Sequence, residues 1–371
     1  MDSFKLAAWN IEWSDKLLTA MASTNASTSS RARRRADAIG NEIGLLDADI
    51  LVIGEGPKGE TRAVDFFGHV APGYDLVLRG NDAAYRTQGQ QWVWFLLRKG
   101  IPAAGALLHL DRWREVTREA SFNEHDGKWW VGLPAIDEAS GALLYNPEFE
   151  HKHYRHPQAL QLTLDGEQLE VIGGHLKSKY VNKSTPADIG APGSFTRNPS
   201  FVAKVIEARV KLSSEASDVR YYIDGRFKAN VDAPVIVAGD FNDGPGKEMI
   251  EERFLLHDLI GNLQGDVFFA KRFLNHNLFD YEEEQRWTVQ FEDKLDPRRP
   301  REILLDHILF SQSFVGQVRP GSFAFEARSK AGKVEHDVHQ RANATLPSGL
   351  TTSDHRPVSM VFTRRAVPPP T

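Results

Sequence analysis

Residues 235–243, VIVAGDFND, constrain this chain more than any other stretch. Val235, Ile236 and Val237 are β-branched and uncharged, and Pro234 precedes them, as in a buried strand. Gly239 lets the backbone turn closely, and Gly244-Pro245 closes the segment as a loop. Asp240, Asn242 and Asp243 therefore arrive at the end of a rigid element. A carboxylate only accepts hydrogen bonds, whereas a carboxamide both donates and accepts. Such a set either closes an Asx turn or forms a site that the strand holds in place. Asp243 is read as a turn residue. Asp240 and Asn242 stay open between the two readings.

Composition narrows the classes. The chain has 371 residues, 41% hydrophobic and 26% charged, an ordinary globular balance. No apolar run reaches the ~18 residues of a membrane span. Met1 leads directly into a strand-like segment with no signal peptide, so a cytoplasmic location is expected. Cysteine is absent, which excludes disulfides, thiolate metal sites and a cysteine nucleophile. The net charge of -5 is unlike that of proteins that grip long nucleic acid by its phosphates. Any such contact is expected to be local, short or helped by a metal ion.

Residues 4–11, FKLAAWNI, are read as a first strand ending at Trp9 and Asn10, followed by a low-complexity loop over 19–30. Ser29 or Ser30 is expected to cap a helix over 31–46, in which Ala38, Ile39, Ile43 and Leu46 follow helical spacing. Arg31, Arg33, Arg34 and Arg35 fall in its first turns, where the helix dipole disfavours cations. They read as a solvated face, with a basic rim beside an anionic substrate as the functional alternative. Residues 49–54 form a second buried strand that delivers Glu55, and a strand pair follows at 75–78 and 91–98. Two hairpins are expected at 128–133 and 142–145. Segments 160–164 and 169–173 pair around Asp165-Gly166, a hairpin turn signal, and deliver His175. Residues 180–198 read as a surface loop, 201–212 as an amphipathic helix, and 246–300 as a short helix among loops. Strands at 303–309 and 358–362 close the chain, and the tail AVPPPT is expected to fray. Strands that alternate with helices but are interrupted by hairpins suit a mixed α/β sandwich. No repeat and no linker divides the chain, so residues 1–371 are read as a single domain.

The polar residues at the strand ends are consistent in kind. In order they are Asn10 and Glu12, Glu55, His175, Asp240 and Asn242, Asp306, then Asp354 and His355. Carboxylate oxygens suit a hard cation such as Mg2+, and imidazoles suit a phosphoryl oxyanion. A general base with a metal is the minimal equipment for attack of water on a phosphoester.

The order WN, a strand ending in Glu, GGHLKS, GDFN, a strand with Asp-His, then SDHRPV resembles the endonuclease/exonuclease/phosphatase superfamily. That group includes deoxyribonuclease I, abasic-site endonucleases, inositol polyphosphate 5-phosphatases and sphingomyelinases. The resemblance spans Trp9 to Val358, with insertions near 100–150, 180–200 and 262–300, and HLKS is similar to bacterial nucleases of the group. It implies a four-layer α/β sandwich, two packed mixed β-sheets flanked by helices. It implies that Glu55 ligates Mg2+ (with Mn2+ as a substitute), with Asn10 beside it and Asp354 near the metal. Asp240 would orient or deprotonate the attacking water, and Asn242 would hold the phosphate or the water. His355 would contact the scissile phosphate, oriented by Asp306. His175 would be a second phosphate contact or the acid that protonates the leaving oxygen. Arg155, in Arg155-His156-Pro157, resembles the group's Arg-x-Pro phosphate contact. Glu12 stands where some members carry Asp, a second metal-binding position. The stretch Gln88-Gly89-Gln90-Gln91 lacks the carboxylate that pairs with the HLKS-type histidine in the deoxyribonuclease I branch, so His175 leans toward phosphate binding. The implied activity is a Mg2+-dependent phosphodiesterase or nuclease acting on DNA or RNA. A hydrolase of a small or lipid-derived phosphoester is the alternative, and a non-catalytic binding module is the remote one. No obligate protein partner follows.

Other features are read as structural. His151, His153 and His156 could make a metal site, but alternation on a solvent-facing edge strand is the expected reading. Trp92, Trp94, Trp129 and Trp130 are expected in packing rather than stacked on bases, and Arg298, Arg299 and Arg301 as a solvated patch.

Overall fold

Side chains alternate between the two faces of each central strand, and both faces are buried, which sets the architecture. The structure, a computed structural model, describes residues 1–80, 89–120, 129–137, 139–181, 199–245, 251–252, 258–292, 300–315 and 322–366. The elements begin with β1 (Ser3–Asn10), α1 (Ser14–Met21), α2 (Ala26–Leu46), β2 (Ile50–Gly56), α3 (Glu60–Val70), β3 (Tyr74–Leu76), β4 (Trp92–Arg98) and β5 (Ala103–Leu107). The middle of the chain gives α4 (Leu110–Ala120), β6 (Trp129–Ile136), β7 (Leu143–His151), β8 (Gln158–Leu164), β9 (Glu167–His175) and α5 (Pro199–Ala229). Then come β10 (Val235–Asp240), α6 (Leu259–Gln264), β11 (Asn275–His276), β12 (Val289–Gln290), β13 (Glu302–Ile303) and β14 (Asp306–Phe310). The last elements are β15 (Phe325–Val334), α7 (His336–Asn343) and β16 (Val358–Arg364).

Two six-stranded sheets form, in the orders β15-β16-β1-β2-β4-β3 and β11-β14-β10-β9-β8-β5. Only the pairs β1–β2 and β9–β10 are parallel within them, so both sheets are mixed. Phe4, Leu6 and Ala8 of β1 meet Ile236 and Ala238 of β10 in the core between the sheets. The alternate residues of β1, Ala7 and Trp9, pack outward with Leu17, Ile39 and Phe66 from α1, α2 and α3. The alternate residues of β10, Val235 and Val237, pack with Trp113, Tyr222 and Leu263 from α4, α5 and α6. The result is helices, sheet, sheet, helices, a four-layer α/β sandwich. Each large side chain buried there contributes roughly 1.5–3 kcal/mol. No helix of the described residues is long and apolar enough to cross a membrane.

Several elements differ from the sequence expectation. The loop expected over 19–30 is mostly helical. Asn25, not Ser29 or Ser30, caps α2, its side chain accepting from the Thr28 N–H at 3.0 Å. The arginine run thus lies beyond the first turn. The two hairpins expected at 128–133 and 142–145 are one hairpin, β6 with β7, whose ladder runs from Trp129–His151 to Ile136–Leu143. The helix expected over 201–212 runs from Pro199 to Ala229. Helices α1, α3, α4 and α7 and strand β15 were not expected. α1 starts from a left-handed Trp13 with no side-chain cap, which leaves no sequence signal. β15 is bulged between Ala327 and Gly332, which breaks its alternation. The Asp165-Gly166 turn is as expected, with φ of 50° and 85° at its two residues. The expectations on 182–198 and on the tail after 366 lie outside the described residues.

Gly239 shows how closely two strands approach. Its φ is 141°, and a Cβ there would stand 2.0 Å from the Gly174 carbonyl oxygen on β9. Gly239→Ala is expected to destabilise the chain by roughly 2–4 kcal/mol, read as a lower denaturation midpoint with an unchanged slope. A wild-type midpoint would contradict this packing.

Candidate active site

The same parity places the polar residues. Asn10 continues the inward row of Phe4, Leu6 and Ala8 on β1, and Asp240 continues that of Ile236 and Ala238 on β10. Register then aligns the neighbours. Asp240 stands opposite His175 on β9 and opposite Asp306 on β14. These three form one row at the end of the second sheet. On the first sheet, Asn10 pairs with Gly54, and His355 lies just ahead of β16.

Glu55 breaks the parity. Leu51 and Ile53 pack in the outer layer, so a regular strand would point Glu55 outward with them. Instead the β2–β4 register shifts between Ile53 and Gly56, and Glu55 has a φ of 55°. A bulge of this kind re-aims a side chain. Glu55 Oε1 accepts from Asn10 Nδ2 at 3.3 Å, and Oε2 accepts from the Trp13 N–H at 2.8 Å. Glu12, Trp13 and Asn242 also have φ near 50°. Such backbone costs of order 1–3 kcal/mol per residue and concentrates at functional sites.

The contacts form a continuous set. Asp240 Oδ2 accepts from Asn10 Nδ2 at 2.9 Å, and Oδ1 accepts from the Asn242 N–H at 2.8 Å. Asn242 Nδ2 donates to the Leu176 carbonyl at 2.9 Å. His355 Nδ1 donates to Asp306 Oδ2 at 2.7 Å, leaving Nε2 3.9 Å from Asp240 Oδ2. His175 Nε2 is 3.6 Å from Asp240 Oδ2 and 3.9 Å from Glu55 Oε1. Asp354 is exposed at the rim, its Oδ1 3.9 Å from His355 Nε2. The Ser353 hydroxyl donates to the Asn10 carbonyl and accepts from the His355 N–H, which ties the two ends of the chain together.

Burial drives the electrostatics. It pushes the Asp240 carboxyl up to about 7, with Asp306 adding to the shift and His355 opposing it. Burial alone would lower the His355 imidazole. The carboxylates of Asp306, Asp240 and Asp354 outweigh it and lift His355 to about 10. His175 is pushed well down, by burial and then by the charges of Arg155 and His355. One site thus holds a cationic imidazole and a neutral one. Glu12 is raised, by burial and then by Asp354, while Arg35 opposes the shift. Glu55, Asp354 and Glu12 offer oxygen donors only, which fits a hard cation. Asp240, Asp306 and His355 also bring ligand atoms within 4.8 Å of one another. The Asp306–His355 hydrogen bond makes that group a carboxylate–imidazole–carboxylate chain instead.

A cleft of about 280 Å³ opens here, lined by Asn10, Glu55, Arg155, His175, Asp240, Asn242 and His355 among others. Trp13 and Tyr180, 38% and 66% exposed, also line it. The sequence reading missed both. Trp13 follows Asn10 by three residues and Tyr180 follows His175 by five, and this closeness to the motifs was the available signal. Trp92 and Trp94 are in the core and Trp130 is exposed, whereas the Trp129 side chain lies outside the described residues. A second cleft of about 700 Å³ shares Arg155, Lys177 and Ser178 with the first and adds Lys152, Tyr154 and Lys211.

Some residues stand differently from their sequence readings. Arg155 is buried. It donates from Nε to the His175 carbonyl at 3.0 Å, from Nη2 to the Leu176 carbonyl at 2.9 Å and from Nη1 to Gln91 Oε1 at 2.6 Å. It braces the end of β9. Asp243 is no mere turn residue: it is buried, pairs with Lys179 and accepts from the Leu259 N–H at 3.3 Å. His151, His153 and His156 are not solvent-facing, since all three pack against α5. Arg301 is exposed and 3.5 Å from Glu292, whereas Arg298 and Arg299 lie outside the described residues. Arg35 is neither a solvated face nor a rim. Its guanidinium donates to the carbonyls of Ile11, Glu12, Thr351 and Thr352 and to Glu12 Oε2. It clamps the exit of β1 to the segment that leads into His355.

No protein-family model and no curated protein matches the chain. Solved structures do. TDP2 from C. elegans is 12% identical with a TM-score of 0.50, covering 97% of this chain and 75% of that one. An endonuclease/exonuclease/phosphatase family protein from Bacteroides thetaiotaomicron is 16% identical with a TM-score of 0.47, over 98% of each chain. The endonuclease/exonuclease/phosphatase from Bacteroides vulgatus is 12% identical with a TM-score of 0.48, over 98% of this chain and 100% of that one. The likeness to TDP2 from C. elegans is one of fold, two mixed sheets flanked by helices. At these identities the likeness speaks for the deoxyribonuclease I-like fold alone.

Arg35→Met, which keeps the stem and removes the five donors, is expected to cost about 2–3 kcal/mol. The check is a denaturant titration beside Arg34→Met, a neighbour for which no clamp is seen. Equal midpoints for the two variants would remove the clamp from the account.

Proposed function

We propose that this chain is one catalytic domain that hydrolyses phosphoesters by attack of water on phosphorus, with nucleic acid as the leading substrate. One observation carries the reading. A carboxylate pushed up by burial, Asp240, faces a cationic imidazole, His355, across 3.9 Å inside an open cleft. The pair is equipped to take a proton from water and to meet charge that develops on a phosphoryl oxygen.

The residues divide the work. Asp240 accepts the proton of the attacking water. Asn10 and the Asn242 N–H fix the carboxylate's orientation, and the Asn242 side chain, held to the Leu176 carbonyl, completes that wall. His355 donates from Nε2 to the phosphoryl oxygen, with Asp306 holding its tautomer through Nδ1. His175 is a neutral hydrogen-bond donor to phosphate rather than the leaving-group acid, because burial lowers its proton affinity and withholds the second ring proton that such an acid needs. Glu55 and Asp354 would hold a Mg2+ ion, with Glu12 beside them and Asn10 steering Glu55. The ion would neutralise charge on the phosphoryl oxygens and leaving group. Arg155 keeps its place as a wall of the cleft that braces His175.

Two features support a polymer over a small phosphoester. Trp13 and Tyr180 offer aromatic faces at the mouth, and stacking of a base on such a face is worth ~1–3 kcal/mol. The cleft also continues past Lys177 into the larger one, lined by Lys152 and Lys211 together with Glu150 and Glu215.

Purified protein with Mg2+ should cut single-stranded DNA, plasmid DNA or RNA, and EDTA should abolish the cutting until Mg2+ or Mn2+ is restored. Cleavage of a bis-aryl phosphodiester or a phosphomonoester with every nucleic acid left intact would move the substrate to the small-molecule class. No cleavage of any of these would leave a binding module. Asp240→Asn should lower kcat roughly 10²–10⁴-fold at nearly constant KM, because the lost interaction belongs to the chemical step. Trp13→Ala should raise KM for a DNA strand several-fold and leave a bis-aryl diester unaffected. Equal losses on both substrates would take Trp13 out of base recognition.

A further inference from the structure

A second group of buried imidazoles and carboxylates lies outside the cleft. His153 Nε2 is 2.8 Å and His156 Nε2 3.9 Å from Asp218 Oδ2 on α5. The three side chains are 3%, 9% and 0% exposed, and their ligand atoms all lie within 4.8 Å of one another. One helical turn earlier, Glu215 Oε1 pairs with His151 Nε2 at 3.2 Å.

The tautomer of His156 is informative. Its Nδ1 lies 2.6 Å from the Pro157 carbonyl, which accepts only, so Nδ1 carries the proton. In the neutral ring Nε2 is then the nitrogen that presents a lone pair, 3.9 Å from Asp218 Oδ2. That lone pair faces a carboxylate oxygen. A divalent cation among His153 Nε2, His156 Nε2 and Asp218 Oδ2 would replace the 2.8 Å hydrogen bond between His153 and Asp218 with bonds to one ion. A hydrogen bond from Nδ1–H to a backbone carbonyl is also how metal-bound histidines are commonly oriented. Trp113 Nε1 donates to Asp218 Oδ2 at 3.1 Å and steers that carboxylate in the same way.

We infer that His153, His156 and Asp218 form a binding site for a zinc-like divalent cation, with water as the fourth ligand. Two imidazoles and a carboxylate are a borderline donor set, which suits zinc, cobalt or nickel and not Mg2+. Bonds of about 2.0–2.1 Å to a tetrahedral ion set its ligands about 3.3 Å apart, between the 2.8 and 3.9 Å seen here. The ion would fasten residues 151–156 to α5. Arg155 lies inside that span and holds the His175 carbonyl, while Glu215 Oε2 accepts from the Lys177 N–H at 2.7 Å. The site would therefore position one wall of the cleft and would not touch the reacting atoms.

The test uses the full chain, stripped with a chelator and dialysed against Zn2+ or Co2+ in excess Mg2+. One retained equivalent is expected, with the intense visible bands of four-coordinate Co2+ and a raised melting temperature. His156→Gln and Asp218→Asn should each lose that equivalent, and Glu55→Gln with Asp354→Asn should keep it. His156→Gln, which retains a polar side chain of similar reach, serves if Asp218→Asn does not fold. A folded wild-type chain that retains no ion overturns the inference. So does an equivalent that survives in His156→Gln and vanishes with Glu55 and Asp354.

Discussion

The close approach of β9 and β10 at Gly174 and Gly239 is the constraint on which the rest depends. No side chain fits between these backbones, since a Cβ on Gly239 would overlap the Gly174 oxygen. The approach keeps the parallel ladder intact to its last residue, where Asp240 stands opposite His175. The pairing continues one step further, with the Leu176 N–H donating to the Asp240 carbonyl at 3.0 Å. On the other edge the Phe241 N–H donates to the Leu305 carbonyl at 2.9 Å. The polar row is therefore held by backbone bonds on both sides.

That rigidity matters because the charges inside are poor sources of stability. Taking Asp240, Asp306 and His355 out of water costs several kcal/mol per ion before their attraction returns it. The left-handed backbone at Glu12, Trp13, Glu55 and Asn242 adds a further cost. A chain selected for stability alone would do better with apolar side chains in these places. The cost is carried by the two sheets and by fastenings such as Arg35, which joins segments far apart in sequence exactly where the strain sits.

The sequence made the central strands legible, since runs such as VIVAGD and DILVIG are buried on both faces and need no partner to be recognised. It made the candidate residues legible too, because each stands at the end of such a run. What it hid depends on long-range contacts. Nothing local marks Arg35 as a clamp, because its partners at Ile11, Glu12, Thr351 and Thr352 lie on other segments. Nothing local marks the bulge that turns Glu55 inward, since bulging is a property of the β2–β4 pair. Arg155 was read from its motif as a phosphate contact, and its three backbone and side-chain acceptors emerge only from the folded chain. Short helices such as α1 and α7 gain their stability from packing, which local propensity does not report.

The two buried histidine–carboxylate pairs show why chemistry must be located before it is named. His355 lies 2.7 Å from Asp306, and His153 lies 2.8 Å from Asp218. As pairs they are nearly the same, and in both the carboxylate raises the proton affinity of its imidazole against the effect of burial. Their surroundings differ. The free nitrogen of His355 points into an open cleft toward a second carboxylate, where a substrate oxygen can reach it. His153 is enclosed by α5 and by a second imidazole, where a substrate cannot follow and a small ion can. The same pair thus opens onto a cleft in one place and is enclosed in the other, and access sets what each can meet.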